Sequence, residues 1–397
     1  MSKILVINAG SSSIKLSLFN KSDFSLIANG IAERITLEKG NITIKFGKKY
    51  EFEAIMPNHK VAVEKILEIF DQINLVKDKK EIEYIGFRVV QGGPYFAGPS
   101  KLTDKEIALI DKVSIYAPLH NPGAVMAMKA FKEVMPHAKM SANFDTAFHM
   151  TIDKVNSTYP IPYQWTEEYG VKRYGAHGIS HKYITNTIEK ILNKTGVTYV
   201  NLHIGNGASL CAIKDSKSFD TSMGLTPLAG IMMGSRSGDI DPSIHEFIVK
   251  QTHMDISQVT DVLNKKSGLL GVSGISSDMR DVSKNAKEGN ERAKFALDLY
   301  AQRIADYLSI YLNKIGPKID AVVFTAGVGE NDFNFRQNVI NKINIVKLEL
   351  DSELNQSKID EYKVISSKNS SIPVYVIRTN EELLIANDAI KLYEGKK

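Results

Sequence analysis

The stretch Lys3-Ile4-Leu5-Val6-Ile7-Asn8-Ala9-Gly10-Ser11-Ser12-Ser13-Ile14-Lys15-Leu16-Ser17-Leu18 decides the fold. Lys3 to Ile7 is a β-branched apolar run, Asn8 to Ser13 consists of turn formers, and Ile14 to Leu18 alternates with period two. That reads as strand, turn, strand. The same grammar returns at Ile204-Gly205-Asn206-Gly207-Ala208-Ser209-Leu210-Cys211-Ala212-Ile213, which can be laid over Ile7 to Leu16. Two such hairpins predict two domains of similar topology. Pattern alone leaves open the plainer alternative of two unrelated hairpins with Gly-rich turns.

Outward from the first hairpin, 42–46 alternates as a strand and 59–73 has apolar residues at helical spacing. A buried strand at 82–90 leads to a Gly92-Gly93-Pro94 turn. Helices are expected at 103–114 and 123–134, then a strand at 138–144. Strands alternating with helices argue for an α/β fold. A Pro- and Tyr-rich stretch at 150–175 breaks the pattern. Past it come a helix at 180–193, strands at 197–204 and 208–214, and helices at 242–251 and 255–264. One long helix is expected over 285–315, then strands at 319–325 and 374–377 and a helix at 380–393. The expected domains are 1–150, joined by the C-terminal segment 380–397, and 151–379.

The 397 residues carry 50 Lys+Arg against 45 Asp+Glu, a net charge of +5 with no basic block. Electrostatics therefore gives no argument for a nucleic-acid or acidic-membrane partner. The single Cys211 excludes an intrachain disulfide and any cysteine-built zinc or iron–sulfur centre. No apolar run approaches the ~18–20 residues of a membrane span, and the N-terminus lacks the order of a signal peptide. The expectation is a soluble, cytoplasmic chain.

Neither G-x-x-x-x-G-K-S/T nor G-x-G-x-x-G occurs, so the P-loop and Rossmann readings lose their main support. Three Gly-rich turns follow apolar strands instead: Asn8–Ser13, Gly205–Ser209 and Ala326–Asn331. Glycine lets a backbone approach phosphate closely, and Ser hydroxyls and main-chain N–H groups donate to its oxygens. Arg88 lies inside the apolar run Ile85–Val90, where it must be paired or bind an anion. Arg236 occupies the polar loop 234–242, Asp145 ends a strand, and Glu381 starts the last helix. On residue type alone these are equally a loop arginine, a turn cap and a capping-region carboxylate. His177 and His181 lack the Glu of H-E-x-x-H, so a metalloprotease reading fails.

The motifs INAGSSSIKLSLF, FRVVQGG, APLHNPG, FDTAFH, YGAHGISHKYI, LHIGNGASL, MGLTPLAG, MGSRSGDIDP, SSDMRDV, FTAGVGEN and TNEELLIA occur in this order. From residue 3 to about 390 they resemble the acetokinase family. The resemblance implies two similar actin-like, ribonuclease H-like domains with a nucleotide cleft between them, and a homodimer. It implies reversible transfer of the ATP γ-phosphoryl group to acetate, giving acetyl phosphate and ADP with magnesium, manganese being able to replace it. Catalysis would fall to Asp145, His177, Arg236 and Arg88, with His120 supporting the site indirectly. The acyl group would meet Arg88, Val90, Leu119, Ala176 and Pro227. ATP would meet Ser11, Ser13, Lys15, His203, Gly205, Asn206 and Gly207, then Asp278, Met279, Arg280, Gly327, Val328, Gly329, Glu330 and Asn331. Asn8 and Glu381 would hold magnesium.

Three positions depart from the family pattern. Phe87 and Gln91 stand at two usual His positions, outside the core mechanism. Ala176 stands where the family usually has a Phe that helps to form the pocket for the acetate methyl. Swapping a ring for a methyl could open room for a longer acyl chain, or a neighbour such as Met232 could refill the gap. A propionate or short-chain acyl kinase is therefore the alternative reading, and a non-metabolic actin- or chaperone-like ATPase a weaker one. A sugar kinase would need a base aimed at a hydroxyl.

Overall fold

The computed structural model describes residues 2–395, so the last two positions of the expected 380–397 segment lie outside the described residues. The chain folds as two compact units. One takes in the chain up to Phe148 together with the segment from Asn380, and the other runs from His149 to Thr379.

The first unit holds β1 (Lys3–Ala9), β2 (Ser13–Asn20), β3 (Leu26–Glu33), β4 (Gly40–Phe46), β5 (Lys48–Ala54), β6 (Ile82–Val89), β7 (Ser100–Lys101) and β8 (Lys139–Phe144). They form one sheet in the order β5-β4-β3-β2-β1-β6-β8-β7. The second unit holds β9 (Tyr199–Ile204), β10 (Ala208–Lys214), β11 (Lys217–Thr221), β12 (Ala321–Thr325), β13 (Tyr362–Val364) and β14 (Val374–Ile377). Their order is β11-β10-β9-β12-β14-β13. Strand for strand this repeats β3-β2-β1-β6-β8-β7. In each sheet a leading strand pairs antiparallel with its hairpin partner and parallel with the strand on its other side. The hairpin echo in the sequence is a topological repeat, with β4 and β5 added to the first sheet only.

The hairpin register sharpens the echo. β1 pairs Ile7 with Leu16, Asn8 with Lys15 and Ala9 with Ile14. The ladder thus runs through Asn8 and Ala9, and the turn narrows to Gly10–Ser12. Because β9 ends at Ile204, opposite Ala208, the structural match pairs Ala9 with Ile204 and lies two residues from the alignment of Ile7 on Ile204.

Two expectations change. The helix anticipated over 285–315 is two helices, Met279–Lys287 and Glu291–Ile315. Gly289 between them takes φ +95°, and the Asn290 side chain accepts from Ala293 N at 3.0 Å to cap the second. The third Gly-rich turn, Ala326–Asn331, is a short helix leaving β12, with Ala326 itself at φ +65°. No expectation covers the edge strand β5 (KKYEFEA), although Tyr50, Phe52 and Ala54 alternate with charged residues and are its half-buried positions.

Each unit has its own apolar core. In the first, the helix Glu381–Glu394 lies so close to β6 that a Cβ on Gly86 would come within 2.5 Å of Ile385 Cγ2. Only glycine permits that approach, which brings Glu381 to the end of β6. Among the described residues, no helix is long and apolar enough to cross a membrane.

Candidate active site

In the first unit, Arg88 and Asp145 sit at the C-terminal ends of the parallel neighbours β6 and β8, where open α/β sheets place ligands. Asp145 N donates to Val89 O at 2.9 Å, which pins the strand end. The Arg88 guanidinium donates through Nη2 to Asp145 Oδ2 at 2.9 Å and through Nε to Oδ1 at 3.3 Å. Its Nη1 lies 3.3 Å from Glu381 Oε2. Burial alone would depress the arginine's pKa, but the Asp145 and Glu381 charges outweigh it and hold the guanidinium firmly protonated. Glu381 is pushed up by burial and by Glu382, with Arg88 acting against both. Asn8, Lys15, Arg88 and Glu381 border one small cavity of about 20 Å³, room for about one water. Ser11 is exposed on the turn and Ser13 half-buried beside it.

The acyl candidates of this unit are joined by a residue that the motif reading missed. Asn121 is fully buried, accepts from Gln91 N at 3.1 Å and donates to Gln91 O at 2.8 Å. It ties the segment holding Val90 to the one holding Leu119 and His120. Gln91 in turn accepts from Gly93 N at 2.9 Å, and Phe87 packs edge-on against Phe131, so both departures from the family's histidines are absorbed by local structure.

In the second unit, His203 is the penultimate residue of β9 and His177 precedes the helix Gly178–Leu192. His177 takes a left-handed backbone, φ +56°, a conformation that costs a non-glycine residue about 1 kcal/mol or more. The two imidazoles stack with centroids 4.2 Å apart and planes 23° apart. Arg236 is aimed by a bond from Nη1 to Pro227 O at 3.0 Å, and burial pulls its pKa down. The deciding geometry is at Gly207. A Cβ there would lie 3.4 Å from Arg236 Nη2, 3.5 Å from Nη1 and 3.5 Å from His177 Nε2. A guanidinium and an imidazole nitrogen therefore converge on a stretch of bare backbone.

Beside this lies a cavity of about 1400 Å³. Of the expected ATP residues, Gly205, Asn206, Asp278, Met279, Arg280, Gly327, Val328 and Asn331 line it. His203, Gly207, Gly329 and Glu330 do not, and neither do Ser11, Ser13 and Lys15. The Gly329 carbonyl accepts from buried Arg336, and Glu330 Oε1 accepts from Ala326 N at 2.9 Å and Thr379 N at 3.0 Å. They hold the cavity wall. Ala176 is 3% exposed in the same apolar cluster as Met232, and its carbonyl is bonded to His149 Nε2 at 2.9 Å.

The acetokinase family model matches residues 3–387. The chain is 62% identical over 390 residues to the acetate kinase of Mycoplasmopsis pulmonis, covering 98% of this chain and 99% of that one. It is 43% identical over 395 residues to the acetate kinase of Bacillus subtilis, covering 99% and 100%. The chain belongs to the acetokinase family.

Among solved structures, it is similar to the Porphyromonas gingivalis acetate kinase, with a TM-score of 0.94, 37% identity and coverage of 99% and 100%. It is also similar to a propionate kinase of Francisella tularensis, at 0.93, 38% and the same coverage. As a family member it is a kinase, a phosphotransferase with the two-domain actin-like fold.

The donor set also bears on the family's metal. Among the described residues no group of three or more His, Cys, Asp or Glu is placed to hold an ion. Asn8 and Glu381 on one cavity make a sparse, oxygen-only pair. That fits magnesium, which keeps several waters and takes one or two protein oxygens beside substrate phosphates. A site built for zinc would differ in both number and ligand type.

Proposed function

We propose that the chain transfers the γ-phosphoryl group of ATP reversibly to acetate by direct in-line displacement, giving acetyl phosphate and ADP. Its activity is that of an acetate kinase, as family membership and the high-identity relatives indicate. The observation that carries the mechanism is the convergence of Arg236 and His177 Nε2 on Gly207.

The nucleotide occupies the large cavity of the second unit, with Gly205–Gly207 and His203 against its phosphates. Phosphoryl transfer has a loose transition state with charge spread over the equatorial oxygens, so positioning and electrostatics supply most of the catalysis. The Arg236 fork and His177 Nε2–H donate to those oxygens as charge builds. Arg88 receives the acetate carboxylate, flanked by Val90 and Leu119, with Ala176 and Pro227 completing the acyl contacts. Acetate is already ionised at neutral pH, so no base is needed to make the nucleophile. Asp145 then serves to hold Arg88 and would order the waters of a bound magnesium. Asn8 and Glu381 would hold magnesium, which when bound neutralises charge on the phosphate oxygens. The same reading takes the chain as a cytoplasmic homodimer, with Ser11, Ser13 and Lys15 near phosphate.

The test is an acyl-phosphate assay, trapping product as hydroxamate, with ATP and magnesium on acetate, propionate and butyrate in parallel. Turnover on acetate that falls with chain length is expected. ATP hydrolysis with no acyl phosphate from any of the three would overturn the reading.

A further inference from the structure

His177 is the first of a chain of four polar groups inside the second unit. Its Nδ1 lies 2.9 Å from Ser209 Oγ, Ser209 Oγ lies 2.9 Å from His181 Nε2, and His181 Nδ1 lies 2.9 Å from Asn201 Nδ2. The placement follows from the fold. His177 and His181 stand one helical turn apart on one face, and Ser209 and Asn201 face them from the paired strands β10 and β9. His181, Ser209 and Asn201 are fully buried.

We propose that Asn201, His181 and Ser209 form a one-way hydrogen-bond relay that fixes His177 as its Nε2–H tautomer, so that Nε2 presents a proton beside the Arg236 guanidinium. The inference rests on the reading of His177 as a donor to the phosphoryl group, and it adds three positioning residues to that reading.

The direction follows from counting donors. Burial drives the His181 pKa well below its ordinary value, so the ring is neutral, with one N–H and one lone pair. With its nitrogen toward Nδ1 and its buried Oδ1 left without a partner, the Asn201 amide donates to Nδ1, which uses the lone pair and puts the ring's proton on Nε2. That proton goes to Ser209 Oγ. The serine's own proton is then directed to His177 Nδ1, and a neutral His177 must carry its proton on Nε2. Reversing any link reverses all of them. The reversed chain would leave a lone pair at Nε2, facing phosphoryl oxygens that can only accept.

His203 is tethered in parallel, through Ser180 Oγ at 2.8 Å and on to Thr379 Oγ1 at 2.8 Å. That second chain ends in two hydroxyls, whose rotors can turn either way. Only the His177 chain ends in an amide nitrogen, a group that donates and cannot accept.

Two-bond ¹H–¹⁵N correlation spectra of the full-length, ¹⁵N-histidine-labelled chain, with and without MgADP, read the tautomers directly. The expected result is a protonated Nε2 and a bare Nδ1 on both His177 and His181. Ser209→Ala should give a mixture of His177 tautomers and lower kcat about tenfold, with KM for ATP and for acetate within about twofold. Ser209→Thr should restore both the tautomer and the rate. A wild-type His177 protonated on Nδ1, or a Ser209→Ala enzyme with wild-type kcat, overturns the relay. If Ser209→Ala does not fold, the wild-type spectrum decides. A wild-type chain that makes no acyl phosphate defeats the functional reading, while the relay still stands or falls on the spectrum alone.

Discussion

The two sheets repeat one strand order, yet their strand ends carry opposite kinds of chemistry. After β6 and β8, the first unit sets a charged triad in which Arg88 is held between Asp145 and Glu381. Beside the β9–β10 hairpin, the counterpart of β1–β2, the second unit sets uncharged groups, a histidine relay and a Gly-rich loop, with Arg236 brought in by a separate segment. A duplicated scaffold thus fixes where side chains can be presented, and the residues at each end decide what is bound there. The charged end suits a carboxylate acceptor with a divalent cation, and the neutral end suits donors aimed at phosphate.

The strongest way to break this contrast is to remove charge from the first end. Asp145→Asn should lower kcat about 100-fold, as expected when an interaction made in the transition state is lost. If Asp145 orders the metal's waters, raising magnesium should recover part of that loss, as steady-state titration would show. Full activity in Asp145→Asn would mean that the triad is structural.

The neutral end should instead reveal itself in acid. Burial drops the His149 pKa to about 4 and carries that of His181 well below its ordinary value. A group with a depressed folded-state pKa contributes stability that is present above its unfolded pKa and lost as pH falls through the folded value. The stability tied to His149 is therefore lost between about pH 6.5 and 4, by about 3 kcal/mol in all. Equilibrium unfolding across that range should show the loss, and His149→Gln should flatten it. An unchanged slope in the variant would place the acid sensitivity elsewhere.

Smaller effects probe how Arg236 is carried. The Tyr307 hydroxyl, on the helix Glu291–Ile315, donates to Asp239 Oδ2. Asp239 Oδ1 in turn accepts from Gly230 N at 2.7 Å, which pins the loop bearing Arg236. Tyr307→Phe should lower kcat about fivefold with little change in nucleotide affinity, the worth of about one hydrogen bond. The smallest effect concerns Ala176. Each extra buried methylene is worth about 0.8 kcal/mol, or about fourfold, in a pocket that admits it. Since Ala176 is already covered, the propionate-to-acetate ratio of kcat/KM should stay below one in the wild type. Ala176→Phe should lower that ratio further, and equal chain-length losses in both enzymes would show that the position does not border the acyl group.

Much of this was readable before any coordinates. Both hairpins, the strand-end position of Asp145 and eight residues of the large cavity's lining follow from periodicity, turn chemistry and motif, while Arg88 is legible only as an arginine inside an apolar run. What escaped is set by contacts distant in sequence. The Asn201–His181–Ser209 relay depends on the register of β9 on β10 and on the docking of a helix, neither of which a single sequence prints. Glu330 lies within a nucleotide motif, yet its carboxylate turns onto the backbone N–H groups of Ala326 and Thr379. The break at Gly289-Asn290 was signalled, since a glycine followed by an N-cap residue is a helix stop and start, but the apolar periodicity on both sides masked it.

Under the proposed function, acyl-phosphate formation requires both Arg88 and Arg236. The most direct test is kcat in the acetate hydroxamate assay for the wild type, Arg88→Leu and Arg236→Leu, with ATP affinity measured alongside. Each substitution should lower kcat by about 1000-fold or more, in the range of a transition-state arginine, while ATP still binds. Either variant turning over within tenfold of the wild type would contradict the account.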